Sequence, residues 1–303
     1  MTTFKWFASV TLVVVTFSAV HAEPHCPGNV DSLRFRLVRR SQIVVPVKID
    51  HAGPYEFLVD TGAQVTIVDP ALAAELHLKT QGTVEIVGVG SRSAGSFAKL
   101  DSLEAGSQTV GKHLVVVKAL AHFQSSGLHI RGILGEDFLA RFDVLIDNAH
   151  NVLCLDNKKG LQAAMKGKHI ALVTPAPTAG GAAPLTKFPI LAARLSDGIR
   201  PLLLKLDSGA DEPLLYNPFD YLPTRQRESV LLQGRGVDGV PRTFTALPAQ
   251  DVHIGSVELH RVSFITLAGS RHDTKQFDGL LTTGLFRQVF ISYTDRFAVL
   301  EPW

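Results

Sequence analysis

The tetrapeptide Asp60-Thr61-Gly62-Ala63 recurs as Asp207-Ser208-Gly209-Ala210, and each copy closes an apolar run: Phe57-Leu58-Val59 in the first and Leu202-Leu203-Leu204-Lys205-Leu206 in the second. A glycine-led apolar segment comes after each at one interval. Gly132-Ile133-Leu134-Gly135 begins 132 − 60 = 72 residues after the first aspartate, and Gly279-Leu280-Leu281-Thr282 begins 279 − 207 = 72 after the second. Two motifs held at one spacing mark an internal duplication, so the chain must fold into two similar halves. In each half a carboxylate stands on a glycine turn at the tip of a strand, where it is offered to chemistry.

These residues resemble the aspartic proteases, and Asp-Thr-Gly-Ala followed by Gly-Ile-Leu-Gly resembles the retropepsin-like bacterial branch most. The resemblance covers residues 31–157 and, more diverged, 186–302. It implies a mostly β, two-lobed acid-protease-like β-barrel fold in a pepsin-like arrangement. An N-terminal lobe would span 23–157 and a C-terminal lobe 186–303, with 158–185 as linker, because Thr174 to Pro184 is rich in Pro, Ala and Gly. The resemblance also implies an endopeptidase whose catalytic dyad is Asp60 and Asp207, with Thr61, Gly62, Ser208 and Gly209 in support. The hydroxyls of Thr61 and Ser208 would bond into the opposite lobe. The hairpin carrying Gly88, Val89 and Gly90 would be a flap over a substrate peptide in extended conformation. No cofactor and no metal are implied.

The chemistry explains why two carboxylates are needed. Hydrolysing a peptide bond without metal or covalent intermediate takes one group to deprotonate water and another to protonate the carbonyl oxygen. Two adjacent carboxyls cannot both ionise, so one pKa falls and the other rises, which leaves a base and an acid in one pH window. A duplicated chain brings them together as a monomer. Two other arrangements fit the same residues: a catalytically silent protein that binds peptide or protein between its lobes, and a homodimer in which only the first lobe is competent. Two departures bear on them. Thr282 stands where the first lobe has Gly135 and would crowd the aspartate loop, and Asp211 comes directly after the second motif, where a solvent-facing orientation is expected.

Residues 1–22 read as a secretory signal: Lys5, an apolar run from Trp6 to Val20, and small residues at Val20 and Ala22. The expectation is an exported protein, periplasmic or secreted, with no membrane span once the signal is removed. A net charge of +2 gives no electrostatic reason for nucleic acid as partner. Cys26 and Cys154 can pair in an oxidising compartment or stand apart, and the sequence leaves both open.

Residues 33–49 and 55–59 read as strands, and Asp69-Pro70 starts a short helix, aspartate as N-cap and proline at the first helical position. Asn217-Pro218 is expected to repeat that device. Val84 to Gly95 and Leu231 to Thr245 read as glycine-rich hairpins, and 136–142 and 283–289 as short helices. Other chemistries find little support. Gly106 to His113 nearly spells a phosphate-binding loop, but His113 stands where a hydroxyl is needed and the segment joins two strands. There is neither a His-Glu-x-x-His pair nor a Gly-x-Ser-x-Gly elbow.

Overall fold

Strand periodicity governs how the halves are joined. In Asp143–Asp147, Val144 and Ile146 face the main core while Leu145 faces a second cluster with Cys154, and in Phe286–Ser292, Val289 and Ile291 face the first and Phe290 the second. Successive side chains point to opposite sides of a sheet. When both sides are covered, the strand becomes a continuous apolar run such as Val289-Phe290-Ile291, which by itself does not distinguish strand from buried helix. The segment 283–289 therefore departs from the expected helix: a single 3₁₀ turn, Thr283–Leu285, leads straight into strand, whereas Glu136–Leu139 in the first half is helical.

The computed structural model describes residues 25–120, 123, 127–175, 187–223, 230–235, 240–267 and 276–303. The signal read at 1–22 and the later part of the expected linker, 176–185, lie outside the described residues. Among the described residues the chain is mostly β and forms three sheets. An eight-stranded sheet lies within 36–134, and a nine-stranded sheet within 190–282. The third, six-stranded sheet takes strands from both halves, with Asp143–Asp147 antiparallel to Phe286–Ser292 in the register Asp143 to Ser292 through Asp147 to Gln288. Between the halves, 160–164 is a short helix and Ile170–Ala171 pairs with Phe297 and Ala298 in this shared sheet.

The duplication is visible in the pairing. Ala52–Val59 runs parallel to Gly132–Leu134, which is antiparallel to Ile67–Val68. Leu202–Asp207 runs parallel to Gly279–Thr282, which is antiparallel to Leu214–Leu215. Phe57 pairs with Gly132 and Leu204 with Gly279, so 132 − 57 and 279 − 204 both give 75. Parallel neighbours cannot be joined by a tight turn. The long excursion between them holds the hairpins, Thr80–Gly88 with Ser91–Ala105 in the first half and Val230–Arg235 with Pro241–Ala246 in the second.

Asp69 caps the helix Pro70–Glu75 through its Oδ1, which accepts the Ala71 N–H at 2.9 Å. Asn217 does not repeat this. Its φ of 47° puts it in the left-handed region with no side-chain cap bond, and it leads into one 3₁₀ turn, Pro218–Asp220. Cys26 and Cys154 form a disulfide across 128 residues, tying the N-terminal arm to the strand Val152–Asp156. A link closing so long a loop stabilises by about 2–4 kcal/mol. Gly106 lies in the turn between strands Ser91–Ala105 and Gln108–Val117, a hairpin and not a strand-to-helix phosphate loop. No helix among the described residues is long and apolar enough to cross a membrane.

Candidate active site

The strand Ala52–Val59 delivers Asp60, whose N–H donates to Leu134 O at 3.0 Å, and Leu202–Asp207 ends on Asp207 itself. Each chain then turns under its carboxylate. The Gly62 N–H donates to Asp60 Oδ1 at 2.8 Å and the Gly209 N–H to Asp207 Oδ1 at 2.9 Å. The loops face each other so closely that a β-carbon on Gly62 would strike the Asp207 carboxyl, and one on Gly209 the Asp60 carboxyl. Only glycine leaves room for that approach.

The residues between clasp the loops together. Thr61 Oγ1 donates to Leu206 O at 2.9 Å and accepts the Ser208 N–H at 3.1 Å. In mirror image, Ser208 Oγ donates to Val59 O at 2.8 Å and accepts the Thr61 N–H at 3.1 Å. Both side chains are fully buried. Four hydrogen bonds thus cross from one half to the other directly beneath the carboxylates. Burial raises the Asp60 carboxyl to about 7, and the charge of Asp207, with which it shares a hydrogen bond, pushes it the same way. Such an arrangement holds a proton between two oxygens near neutral pH.

One cation at this site is not singled out by the motifs. Lys205 lies two residues before Asp207 and so on the same face of the strand. It is buried, and its Nζ donates to Gly62 O at 2.7 Å and stands 4.4 Å from the centre of the Phe188 ring and 4.7 Å from that of Phe277. The sequence signal for it is a lysine inside an otherwise aliphatic strand, Leu-Leu-Leu-Lys-Leu. The corresponding residue of the first half, two before Asp60, is Leu58.

The two departures turn out to be parts of the interface. Asp211 does not face solvent: its carboxylate lies 3.6 Å from the Arg39 guanidinium of the other half, while Glu212 Oε1 accepts from Arg40 Nη1 at 2.5 Å. The expectation of a solvent-facing Asp211 fails because its partner is no neighbour in sequence but lies 211 − 39 = 172 residues away. Thr282 does not crowd the loop either. Its Oγ1 accepts the Gly284 N–H at 3.2 Å and bonds the Ser41 hydroxyl at 3.3 Å, while Ser41 Oγ donates to Ala210 O at 3.0 Å and Gln42 Nε2 to Gly209 O at 2.9 Å. The second aspartate loop is thereby held from the first half.

Gly88 pairs with Ser91, which leaves Val89 and Gly90 as a two-residue turn with Gly90 at φ 65°. The turn reaches the other half. Val89 packs on a cluster containing Phe188, Phe244 and Phe277, and Gly90 lies against Leu267 and Arg242. A valine at Gly90 meets both an unfavourable φ, costing about 1–2 kcal/mol, and the Leu267 side chain. Gly90→Val is expected to lower turnover on peptides while shifting the thermal midpoint by only about 2–6 °C. Steady-state kinetics beside thermal unfolding check this; failure to recover folded protein would make the turn a purely structural element.

Residues 45–138 match the family described as aspartyl protease. No curated protein matches the chain. Among solved structures, the crystal structure of aspartic proteinase from Irpex lacteus is similar at a TM-score of 0.54 and 14% identity, over 90% of this chain and 97% of that one. The fold is that of an aspartic proteinase. The family match lies within the first half, and the fold of the whole is shared with that proteinase.

Proposed function

We propose that the protein is an aspartic endopeptidase in which Asp60 and Asp207 share one proton and activate a water between them. The observation that carries this reading is the apposition of the two carboxyls, each against the glycine of the other loop, with Asp60 raised to about 7. The ionised carboxylate takes a proton from water as it attacks the peptide carbonyl. The protonated partner gives its proton to the carbonyl oxygen, and collapse of the tetrahedral intermediate returns a proton to the leaving amine. Thr61, Gly62, Ser208 and Gly209 fix the carboxyls. The hairpin with Gly88, Val89 and Gly90 covers an extended peptide that pairs with it as an added strand.

The chain acts as a monomer, exported to a periplasmic or extracellular setting. One chain brings both motifs together, which favours an intramolecular dyad over a homodimeric one, and the bonded settings of Thr282 and Asp211 remove the two features that favoured a silent binder. The test is hydrolysis of an unfolded protein with and without a pepstatin-type inhibitor, read per chain over a wide range of enzyme concentration. Inhibitable hydrolysis that is constant on dilution is expected. No hydrolysis at any pH between about 3 and 8, the span over which such a dyad can hold one proton, would defeat the reading.

Asp60 is raised from 3.8 to about 7 and Glu136 from 4.5 to about 7, in both cases chiefly by burial. Between about pH 4 and 7 the folded chain therefore holds protons that the unfolded chain has released, and stability falls as pH rises through that window. The same raised value lets the one-proton dyad persist to about pH 7, which sets a mildly acidic to near-neutral optimum. Ala63 and Ala210 offer the dyad no hydroxyl donor for its charged form, which points the same way. Thermal midpoints measured from about pH 4 to 8 should decline, and the decline should be smaller in Asp60→Asn.

A further inference from the structure

Lys205 is a buried cation to which the dyad reaction assigns no role. Its ammonium donates to the Gly62 carbonyl at 2.7 Å and otherwise faces the rings of Phe188 and Phe277. Burying a charge is costly unless a compensating charge is close. The carboxyls on which its charge acts are the dyad and Glu136, which is itself buried with one carboxyl oxygen lacking a partner among the described residues.

The geometry is a relay across the two halves. Lys205 comes from the second half and holds the first half's aspartate loop by the carbonyl of Gly62, the residue whose N–H donates to Asp60 Oδ1 at 2.8 Å. The Gly62 carbonyl shares its peptide group with the Ala63 N–H, which donates to Asp60 O at 3.2 Å, so a cation on that carbonyl strengthens the donor that closes the aspartate turn. The first half has no counterpart, because Leu58 occupies the equivalent position in an aliphatic cluster with Val44, Ile67 and Ile133. The dyad therefore sits in an asymmetric field, with a lysine ammonium on the Asp60 loop and an aliphatic side chain at the equivalent position of the other strand.

Resting on the endopeptidase reading, we propose that Lys205 is a positioning residue for the dyad: it fixes the Asp60 loop through Gly62 and its charge sets which pH range holds the dyad with one negative charge. The groups that share this field are Asp207, Tyr293 and Lys205 around Asp60, Tyr216 beside Asp207, and Lys187, Arg296 and Asp137 with Lys205 around Glu136. A cation whose field reaches Asp60 lowers its carboxyl pKa, so removing Lys205 raises the titration of the pair.

The experiment compares wild type with Lys205→Met, Lys205→Gln and Lys205→Arg. Glutamine keeps a donor for the Gly62 carbonyl and loses the charge, and arginine keeps the charge. The dyad is titrated directly by NMR of carboxyl-labelled aspartate, with Asp60→Asn and Asp207→Asn used for assignment, and the pH profile of kcat/KM is measured beside it. Methionine and glutamine should move both readouts upward by about one unit or more, with kcat falling more than KM rises, and arginine should restore them. Unchanged titration in a folded Lys205→Gln protein would overturn the proposal and leave a structural lysine. Should Lys205→Met not fold, the glutamine and arginine variants decide. Because the titration needs no turnover, an inactive wild type would defeat the endopeptidase reading while the NMR result still judged Lys205.

Discussion

Asp60→Asn and Asp207→Asn are each expected to reduce hydrolysis of an unfolded protein by about a thousandfold or more, the scale of a lost general acid or base. Asparagine is nearly isosteric, and its amide oxygen can still accept the glycine N–H that lies 2.8 Å from Asp60 Oδ1 or 2.9 Å from Asp207 Oδ1. What disappears is the shared proton. The same substitution removes a carboxyl whose burial favours its neutral form, so Asp60→Asn should be at least as heat-stable as wild type above about pH 7. Kinetics beside thermal unfolding at about pH 5 and pH 8 check both halves of the expectation. A protein in which Asp60→Asn is dead and Asp207→Asn turns over normally would rule out the intramolecular pair and bring back the homodimer.

Thr61→Val is expected to be the most destabilising single change at the site, at about 2–6 kcal/mol, because it orphans two buried groups at about 1–3 kcal/mol each. Valine fills the same volume but leaves the Leu206 carbonyl and the Ser208 N–H without the hydroxyl that serves both, in a place with no solvent. Ser208→Ala should act likewise through Val59 O and the Thr61 N–H. Because the two hydroxyls serve one clasp, the double variant should lose less than the sum of the singles. Urea unfolding of the three variants gives the coupling directly. Additive losses would mean that the two hydroxyls act separately.

Much of the site was legible because it is written in local motifs and a spacing. Asp-Thr/Ser-Gly at two places, each 72 residues ahead of a glycine-led apolar segment, fixes which strands become parallel neighbours and so where the carboxylates stand. The glycine pair at Gly88 and Gly90 likewise marks a two-residue turn. What stayed hidden depends on contacts between residues far apart in sequence. Asp211 looks unpaired until Arg39 is brought to it, and Thr282 looks obstructive until Ser41 and Gly284 bond its hydroxyl. The segment 283–289 has no period that distinguishes strand from helix because both of its faces are covered. Lys205 carries no motif at all, and its place beside Gly62 is visible only once the halves are assembled.

The shared sheet also bears on what an isolated half would be. Cutting the chain between the halves would strip Phe286–Ser292 from Asp143–Asp147 and bare the alternate backbone donors and acceptors of that strand that face it, while its other edge stays paired with Val152–Asp156. A naked edge of this kind seeks another strand. The pairing that covers it is antiparallel, and antiparallel pairing can be satisfied by two copies of one strand about a two-fold axis. A liberated first half would thus be sticky toward itself at this edge, and joining two such halves in tandem turns a concentration-dependent encounter into a permanent one. Within one chain the two copies need not be identical. One lobe holds Leu58 where the other holds Lys205, an asymmetry that no assembly of identical chains can encode.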